Sequence, residues 1–226
     1  MKKKILFAVS ALLFAAFIAF TFAVKTFDVR PEGVSGSDIG FAALNTHMRD
    51  IIGFNMTWYD ITEGLGYLAL AVVAAFGVTG LARLINNKSC VSVGGELWSL
   101  CGVYVILGIF YVFFEKFAIN YRPVLMSADG VPEASYPSSH SMLTVTVMCT
   151  AALALTFFIR DKKLLRASQA ICFIFAALTV AGRLLSGAHW FTDIIGGTLA
   201  GAALTVLYAA LTCGFYRKTK SRDNFR

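Results

Sequence analysis

Six long segments without charged residues constrain this chain more than any other feature of its sequence. A helix needs about 20 predominantly apolar residues to cross a hydrocarbon core of roughly 30 Å, and five of the six segments have or approach that length. Hydrophobic residues make up 58% of the chain and charged residues 15%, which is outside the usual range of soluble domains. Strands of a membrane β-barrel would alternate in polarity, so we predict an all-α, polytopic bundle. The six predicted transmembrane helices cover residues 5–24, 64–82, 97–114, 141–159, 165–183 and 192–215.

Two of these spans have an alternative interpretation. The first follows three lysines, as the apolar run of a signal peptide does, but it is longer than the usual ~7–15 residues and no clean cleavage site follows. We therefore interpret it as an uncleaved helix. The fifth segment contains only 16 uncharged residues, so it spans only if Arg166 snorkels at one end and Arg183 lies in a polar site at the other.

The connection between the first two spans, residues 25–63, contains the sequence GFAALNTHMRDIIGF. Its apolar residues fall on one helical face, which predicts a short amphipathic helix on the membrane surface. We interpret His47 in this helix as a solvated side chain. Asp60 and Glu63 are interpreted as a capping pair at the start of the second span. Because no loop is long enough to fold alone, residues 1–226 are predicted to form a single integral-membrane domain.

The distribution of positive charge predicts how the bundle is oriented. With six spans, the N-terminus, the loops 83–88 and 160–166 and the C-terminal tail share one side and carry 14 of the 20 Lys and Arg residues. The cation-rich side is expected to be cytoplasmic, so both termini are predicted to lie inside a cytoplasmic membrane. The net charge of +7 is then explained by anionic headgroups and requires no nucleic-acid partner. The five cysteines form no CxxC pair, so neither a disulfide framework nor a zinc ribbon is indicated.

Polar side chains concentrate on the opposite, extracytoplasmic face. They occur in three segments, KFAINYRP, YPSSHSM and GRLLSGAHWFTD. The first two belong to the connection between the third and fourth spans and the last to the connection between the fifth and sixth, and both connections emerge on the same side of the membrane. Three fixed cations with serine donors and a helix N-terminus suit a phosphate group, because guanidinium forks and backbone amides match its oxygens. The candidate phosphate-binding residues are Lys116, Arg122, Ser138, Ser139 and Arg183.

Two histidines and a carboxylate supply candidate catalytic groups beside these cations. His189 and Asp193 are four residues apart, so a helix starting near His189 would stack them on one face. The carboxylate can then fix the imidazole tautomer and leave the other nitrogen free as a nucleophile. His140 is placed to protonate the leaving oxygen. This set predicts a two-step displacement through a phosphohistidine.

Each of these residue types also has a structural interpretation. A single span-end arginine such as Arg183 is often a snorkelling anchor, and serines before a helix are often N-caps. Two histidines and an aspartate would also suit zinc, but three nearby cations disfavour a divalent ion. We therefore expect neither a metal nor another cofactor.

The joint order of these segments resembles the type 2 phosphatidic acid phosphatase superfamily, the membrane lipid phosphate phosphatases, whose signature is K-x6-RP, PSGH and SR-x5-H-x3-D. The third motif is intact apart from Gly182 in place of serine, and in the second Ser139 replaces glycine. Only five residues separate Lys116 from Arg122. Six steps of about 100° on a continuous helix place these two residues on different faces.

The resemblance implies metal-independent hydrolysis of a lipid phosphate or pyrophosphate at the extracytoplasmic face. Phosphatidic acid, phosphatidylglycerol phosphate and undecaprenyl pyrophosphate are the substrates it implies, with membrane lipids as surroundings and no obligate protein partner. The alternatives are a phosphotransferase that passes the phosphoryl group to an alcohol, and an anion-binding transporter. Related folds that run haloperoxidase chemistry with vanadate are soluble, unlike this apolar chain.

Overall fold

Seven α-helices account for most of the chain in the computed structural model. The structure describes residues 1–127 and 129–223, with side chains through residue 215. The prediction that the C-terminal cations lie next to anionic headgroups therefore falls outside the described side chains. Six helices are long and apolar enough to cross a membrane, which confirms the predicted all-α bundle. The helices are α1 Lys2–Thr26, α2 Ala42–Ile52, α3 Met56–Asn87, α4 Gly95–Lys116, α5 Ser139–Ala154, α6 Lys162–Ser186 and α7 Phe191–Asp223.

The start of α3 differs most from the sequence-based prediction. The helix begins at Met56, and the side chain of Asn55 caps it by accepting a hydrogen bond from the Trp58 N–H. The predicted capping pair Asp60 and Glu63 is therefore wrong. Both carboxylates lie inside the helix, because α3 begins about two turns before the charge-free segment that starts at residue 64.

The helices α5 and α7 form the centre of the bundle and are its most buried spans. Their close contact depends on glycine: a Cβ atom at Gly197 would lie 2.5 Å from the Ser138 carbonyl oxygen, and one at Gly201 would lie 2.8 Å from Val145 Cβ. The glycines of α7 therefore pack within the bundle, as small residues do between membrane helices. The helix α1 packs along α7, where the Ser10 hydroxyl donates to the Ala203 carbonyl.

The predicted surface helix between the first two spans is present as α2. Its residues Leu44 and Ile51 are exposed, whereas Asn45 is buried and donates to the Thr192 hydroxyl at the start of α7. His47 is exposed, as predicted. The helix α2 is thus attached to the bundle by a polar contact while apolar side chains face outward, an arrangement suited to a membrane surface.

One end of the bundle gathers the ends of all six long helices. The Asn55 N–H donates to the Ser186 carbonyl, which joins the start of α3 to the end of α6. The Ser138 N–H donates to the Asp193 carbonyl, which joins the start of α5 to α7. Because these bonds hold several helix ends together, side chains from distant parts of the sequence meet here.

Candidate active site

A cavity of about 670 Å³ lies at this end of the bundle. Its polar part is formed by Tyr59, Glu63, Arg122, Ser139, His140 and His189. An apolar part continues between α3 and α4, where side chains such as Leu70, Leu107 and Phe114 line it. The cavity is therefore amphipathic, with a compact charged region joined to an apolar groove along the helices.

His189 lies in the tight turn between α6 and α7 and is 5% exposed. Its Nδ1 atom is 3.1 Å from the Ser135 carbonyl oxygen. Because a carbonyl oxygen only accepts hydrogen bonds, Nδ1 must carry the proton of the neutral ring and Nε2 must have a free lone pair. His189 Nε2 is buried and has no hydrogen-bond partner in the described part of the chain, and His189 forms part of the cavity wall. The ring is thus held in the tautomer that a nitrogen nucleophile requires.

Asp193 supports this turn without bonding directly to the imidazole. Its Oδ2 atom lies 3.8 Å from His189 Nδ1, which is too long for a hydrogen bond. The carboxylate instead accepts from the Trp190 N–H at 2.9 Å and from Asn120 Nδ2 at 3.3 Å. The sequence predicted that Asp193 fixes the tautomer itself; here the Ser135 carbonyl does so, and the fully buried carboxylate acts on the ring electrostatically.

The surroundings of His189 favour its neutral form. Burial is the largest cause, and the positive charges of Arg122 and Arg183 add to it, so the pKa of His189 lies well below its ordinary value of 6.5. Moving an imidazolium out of water and next to cations is unfavourable. The unprotonated ring is therefore the form present at neutral pH.

Arg122 extends into the polar part of the cavity from the loop between α4 and α5. Its N–H donates to the Glu133 carbonyl, and its Nε atom lies 3.0 Å from Glu133 Oε2 as an ion pair. The Nη1 atom is buried and has no hydrogen-bond partner among the described residues. A half-buried guanidinium with a buried, unused donor atom is a ready site for an oxyanion.

Arg183 is completely buried behind the cavity wall. Its Nη2 atom lies 2.8 Å from Glu63 Oε1 and 2.6 Å from His140 Nδ1, and its Nη1 atom donates to the Thr62 hydroxyl at 3.1 Å. The guanidinium also lies over the Tyr59 ring, 4.9 Å from its centroid. The predicted polar site for this span-end arginine is thus present, and α3 supplies most of it.

The two serines before α5 differ in position. Ser138 is buried and is the N-cap, since its Oγ atom accepts from the Ser141 N–H at 3.4 Å. Ser139 is the first residue of α5 and lines the cavity. The N-terminus of a helix, with its unpaired N–H groups, therefore borders the polar part of the cavity.

Lys116 is separated from the other predicted phosphate ligands. The helix α4 ends at this residue, its side chain is exposed, and it is absent from the cavity wall, which Glu115 borders instead. Lys116 lies outside the cavity because it is the last residue of α4, and only the loop that follows brings the chain, with Arg122, to the cavity wall. The structure brings together the other seven predicted site residues.

Several residues in contact with these groups were not predicted from the sequence, among them Ser135, Asn120 and Glu63. Ser135 and Asn120 are ordinary loop residues whose contacts with the His189 turn arise from tertiary structure. Glu63 did carry a signal, because a carboxylate inside an apolar span is costly and usually has a specific partner. Among residues 1–127 and 129–223, no group of three or more His, Cys, Asp or Glu side chains is arranged to hold a metal ion.

Comparison with known proteins agrees with this geometry. The sequence profile of the PAP2 superfamily matches residues 96–217, which is more than half of the chain. A solved structure described as the first transmembrane PAP2 type phosphatidylglycerolphosphate phosphatase from Bacillus subtilis superposes with a TM-score of 0.63 and 19% sequence identity, covering 92% of this chain and 96% of that one. At this identity the likeness concerns the fold. No curated protein sequence gives a significant match.

Proposed function

Because the chain belongs to the PAP2 superfamily, we propose that it hydrolyses a lipid phosphate or pyrophosphate monoester through a phosphohistidine on His189. The observation that carries this proposal is the free Nε2 atom of His189. It is buried, unprotonated and without a hydrogen-bond partner among the described residues, at the wall of a cavity that Arg122 also lines. A nucleophile poised in this way, next to donors for the developing charge, is what covalent phosphoryl transfer requires.

The reaction proceeds in two displacements. His189 Nε2 attacks phosphorus while the bond to the leaving oxygen breaks, and His140 donates a proton to that oxygen. Water then attacks the phosphohistidine, His140 takes up a proton from the water, and His189 leaves as the neutral ring. The Ser135 carbonyl and Asp193 stabilise the positive charge that His189 carries between these steps.

The phosphate is held by donor atoms that have no hydrogen-bond partner among the described residues. Arg122 offers its Nη1 atom at the cavity wall, and Arg183 offers its Nε atom from behind that wall. Ser139 and the N–H groups at the start of α5 supply further donors, with Ser138 holding that helix start in place. Lys116 contributes to the electrostatic field outside the cavity and makes no direct contact in this proposal.

The apolar groove indicates that the substrate carries a lipid tail. The polar part of the cavity is continuous with a groove lined by Leu70, Leu107 and Phe114 between α3 and α4. A phosphate seated near His189 thus leaves an acyl or prenyl chain against apolar side chains at membrane depth. Phosphatidic acid, phosphatidylglycerol phosphate and undecaprenyl pyrophosphate all have this form.

The distribution of charge supports an extracytoplasmic active site. The cation-rich loops 83–88 and 160–166 lie at the opposite end of the bundle from His189. Cation-rich loops of membrane proteins face the cytoplasm. In this proposal both termini are cytoplasmic and the phosphate is taken from the outer leaflet.

The test is phosphate release by the purified protein from a panel of lipid monophosphates and pyrophosphates, with a chelator and an alcohol acceptor present. The proposal predicts free phosphate from at least one lipid and the same rate with or without the chelator. Phosphorylated alcohol as the main product would assign the protein as a phosphotransferase. Substrate binding by folded protein without any turnover would favour an anion-binding transporter.

A further inference from the structure

Glu63 is a carboxylate inside an apolar helix that contacts the proposed general acid. Its Oε1 atom lies 3.3 Å from His140 Nε2 and 2.8 Å from Arg183 Nη2. Glu63 belongs to α3, outside every motif segment and outside the region matched by the family profile. A charged group in this position is costly unless its partners use it.

The contacts of His140 determine where its proton lies. A guanidinium has only donor groups, so Arg183 Nη2 must donate to His140 Nδ1, and the neutral ring carries its proton on Nε2. Glu63 Oε1 lies 3.3 Å from that nitrogen as an ion-pair contact, and the same oxygen is 2.8 Å from Arg183 Nη2. Glu63 therefore acts on His140 through its negative charge, which favours the protonated ring that a general acid requires.

The helix α3 is also shaped to receive this imidazole. A Cβ atom at Gly66 would lie 2.7 Å from His140 Cδ2 and 2.8 Å from His140 Nε2. Glu63 and Gly66 are three residues apart and so lie on the same face of the helix. One turn of α3 thus provides both the carboxylate beside Nε2 and the space that the ring occupies.

We infer that Glu63 is a positioning residue whose carboxylate, beside Nε2, holds the His140 ring and stabilises its protonated form, and that Nδ1 is the atom that exchanges the proton with the leaving oxygen. The inference rests on the proposed phosphatase function. When phosphate binds, Arg183 moves its donor from Nδ1 to the phosphate oxygens. Nδ1 takes up the proton of the bound phosphate monoanion and gives it to the leaving oxygen, and Glu63 stabilises the protonated ring between these events. The later attack of water returns a proton to Nδ1, and this proton leaves with the product phosphate.

The dependence on leaving group separates this role from a merely structural one. An alkyl phosphate needs its leaving oxygen protonated, whereas p-nitrophenyl phosphate releases a stabilised phenolate without an acid. The value of kcat/KM reports the steps through formation of the phosphohistidine. We expect Glu63→Gln to lower kcat/KM about 10- to 100-fold for the alkyl lipid phosphate and less than about 3-fold for p-nitrophenyl phosphate. The loss expected for the alkyl substrate is part of the roughly 10²–10⁴-fold rate effect of general acid catalysis.

The chain offers a matched control on the same helix. Asp60 is exposed and lies one turn before Glu63, so Asp60→Asn removes the same charge without touching His140 and should retain wild-type values for both substrates. His140→Asn should show the same selective loss, and the double variant should lose no more than His140→Asn alone, because Glu63 acts through His140. Should Glu63→Gln fail to fold, Glu63→Asp keeps the charge near Arg183 while drawing the carboxylate back from Nε2 and should give the selective loss.

Several results would overturn the inference. An equal loss on both substrates would mean that Glu63 acts through Arg183 or the fold, and a gain in affinity for both would mean that it blocks the phosphate site. Unchanged kinetics would mean that it does not act on His140. Absence of turnover by the wild-type protein is a different result, since it refutes the proposed function itself.

Discussion

A single methyl group at position 66 tests whether His140 must lie where the structure places it. Gly66 is buried in α3, and a Cβ atom there would lie 2.7 Å from His140 Cδ2. Ordinary van der Waals contact begins near 3.4 Å, so the ring must move by about 0.7 Å, the difference between those two distances. Gly66→Ala therefore displaces the general acid without removing any polar group.

The size of the effect follows from this displacement. A misplacement of about 1 Å at a reacting group can cost up to 10²-fold in rate, so we expect kcat to fall about 10- to 100-fold. At about 1.4 kcal/mol for each factor of ten, this corresponds to roughly 1.4–2.7 kcal/mol of lost transition-state stabilisation. Alanine is favoured over glycine by about 1 kcal/mol inside a helix, so the variant should fold well.

Gly64→Ala is the matched control for this prediction. It lies two residues earlier in α3, gains the same helix propensity, and its Cβ would meet nothing within 4 Å. Both variants would be assayed for phosphate release from the same lipid phosphate and for thermal unfolding in the same detergent. A Gly66→Ala enzyme as active as wild type, or an equal loss in both variants, would refute the reasoning.

Two further predictions follow from the electrostatics of the site. Burial and nearby cations keep the pKa of His189 below its ordinary value, so its ring should remain neutral as the pH falls to about 6. Histidine-selective NMR can follow this ring, because the protein has only three histidines. Protonation of His189 near pH 6.5 would contradict the prediction. Lys116→Ala should change kcat/KM less than about 3-fold, because that side chain lies outside the cavity, whereas Arg122→Ala should lower it at least about 10-fold by removing a charge-assisted bond to phosphate. Similar losses in both variants would place Lys116 in the site.

Hydropathy predicted the bundle because membrane-spanning length leaves few alternatives. The predicted spans and the observed helices agree within about five residues except at two ends: α3 begins at residue 56 where 64 was predicted, and α7 continues to residue 223 beyond the predicted 215. The predicted span excluded charged residues and therefore began too late at the start of α3, because Asp60 and Glu63 belong to this helix. The rule fails where a span carries a carboxylate that has specific partners inside the bundle, as Glu63 does.

The motif spacing predicted most of the candidate site, but it did not predict which atoms bond. His189 and Asp193 share one end of α7 as their spacing required, yet the hydrogen bond to His189 comes from the Ser135 carbonyl. Backbone carbonyls and the contact between Glu63 and His140 join residues far apart in sequence, so no local pattern records them. Lys116 shows the converse, since its motif position did not bring it to the cavity.

Trapping the covalent intermediate tests the central claim most directly. The protein would be mixed with a lipid substrate labelled in its phosphate, quenched in alkali during turnover, digested and analysed by mass spectrometry. We predict one phosphoryl group on His189, lost on acid treatment and absent in His189→Gln, which should also lose at least about 10³-fold in kcat. Turnover at an undiminished rate in His189→Gln, or a phosphoryl group carried by a different residue, would contradict the account.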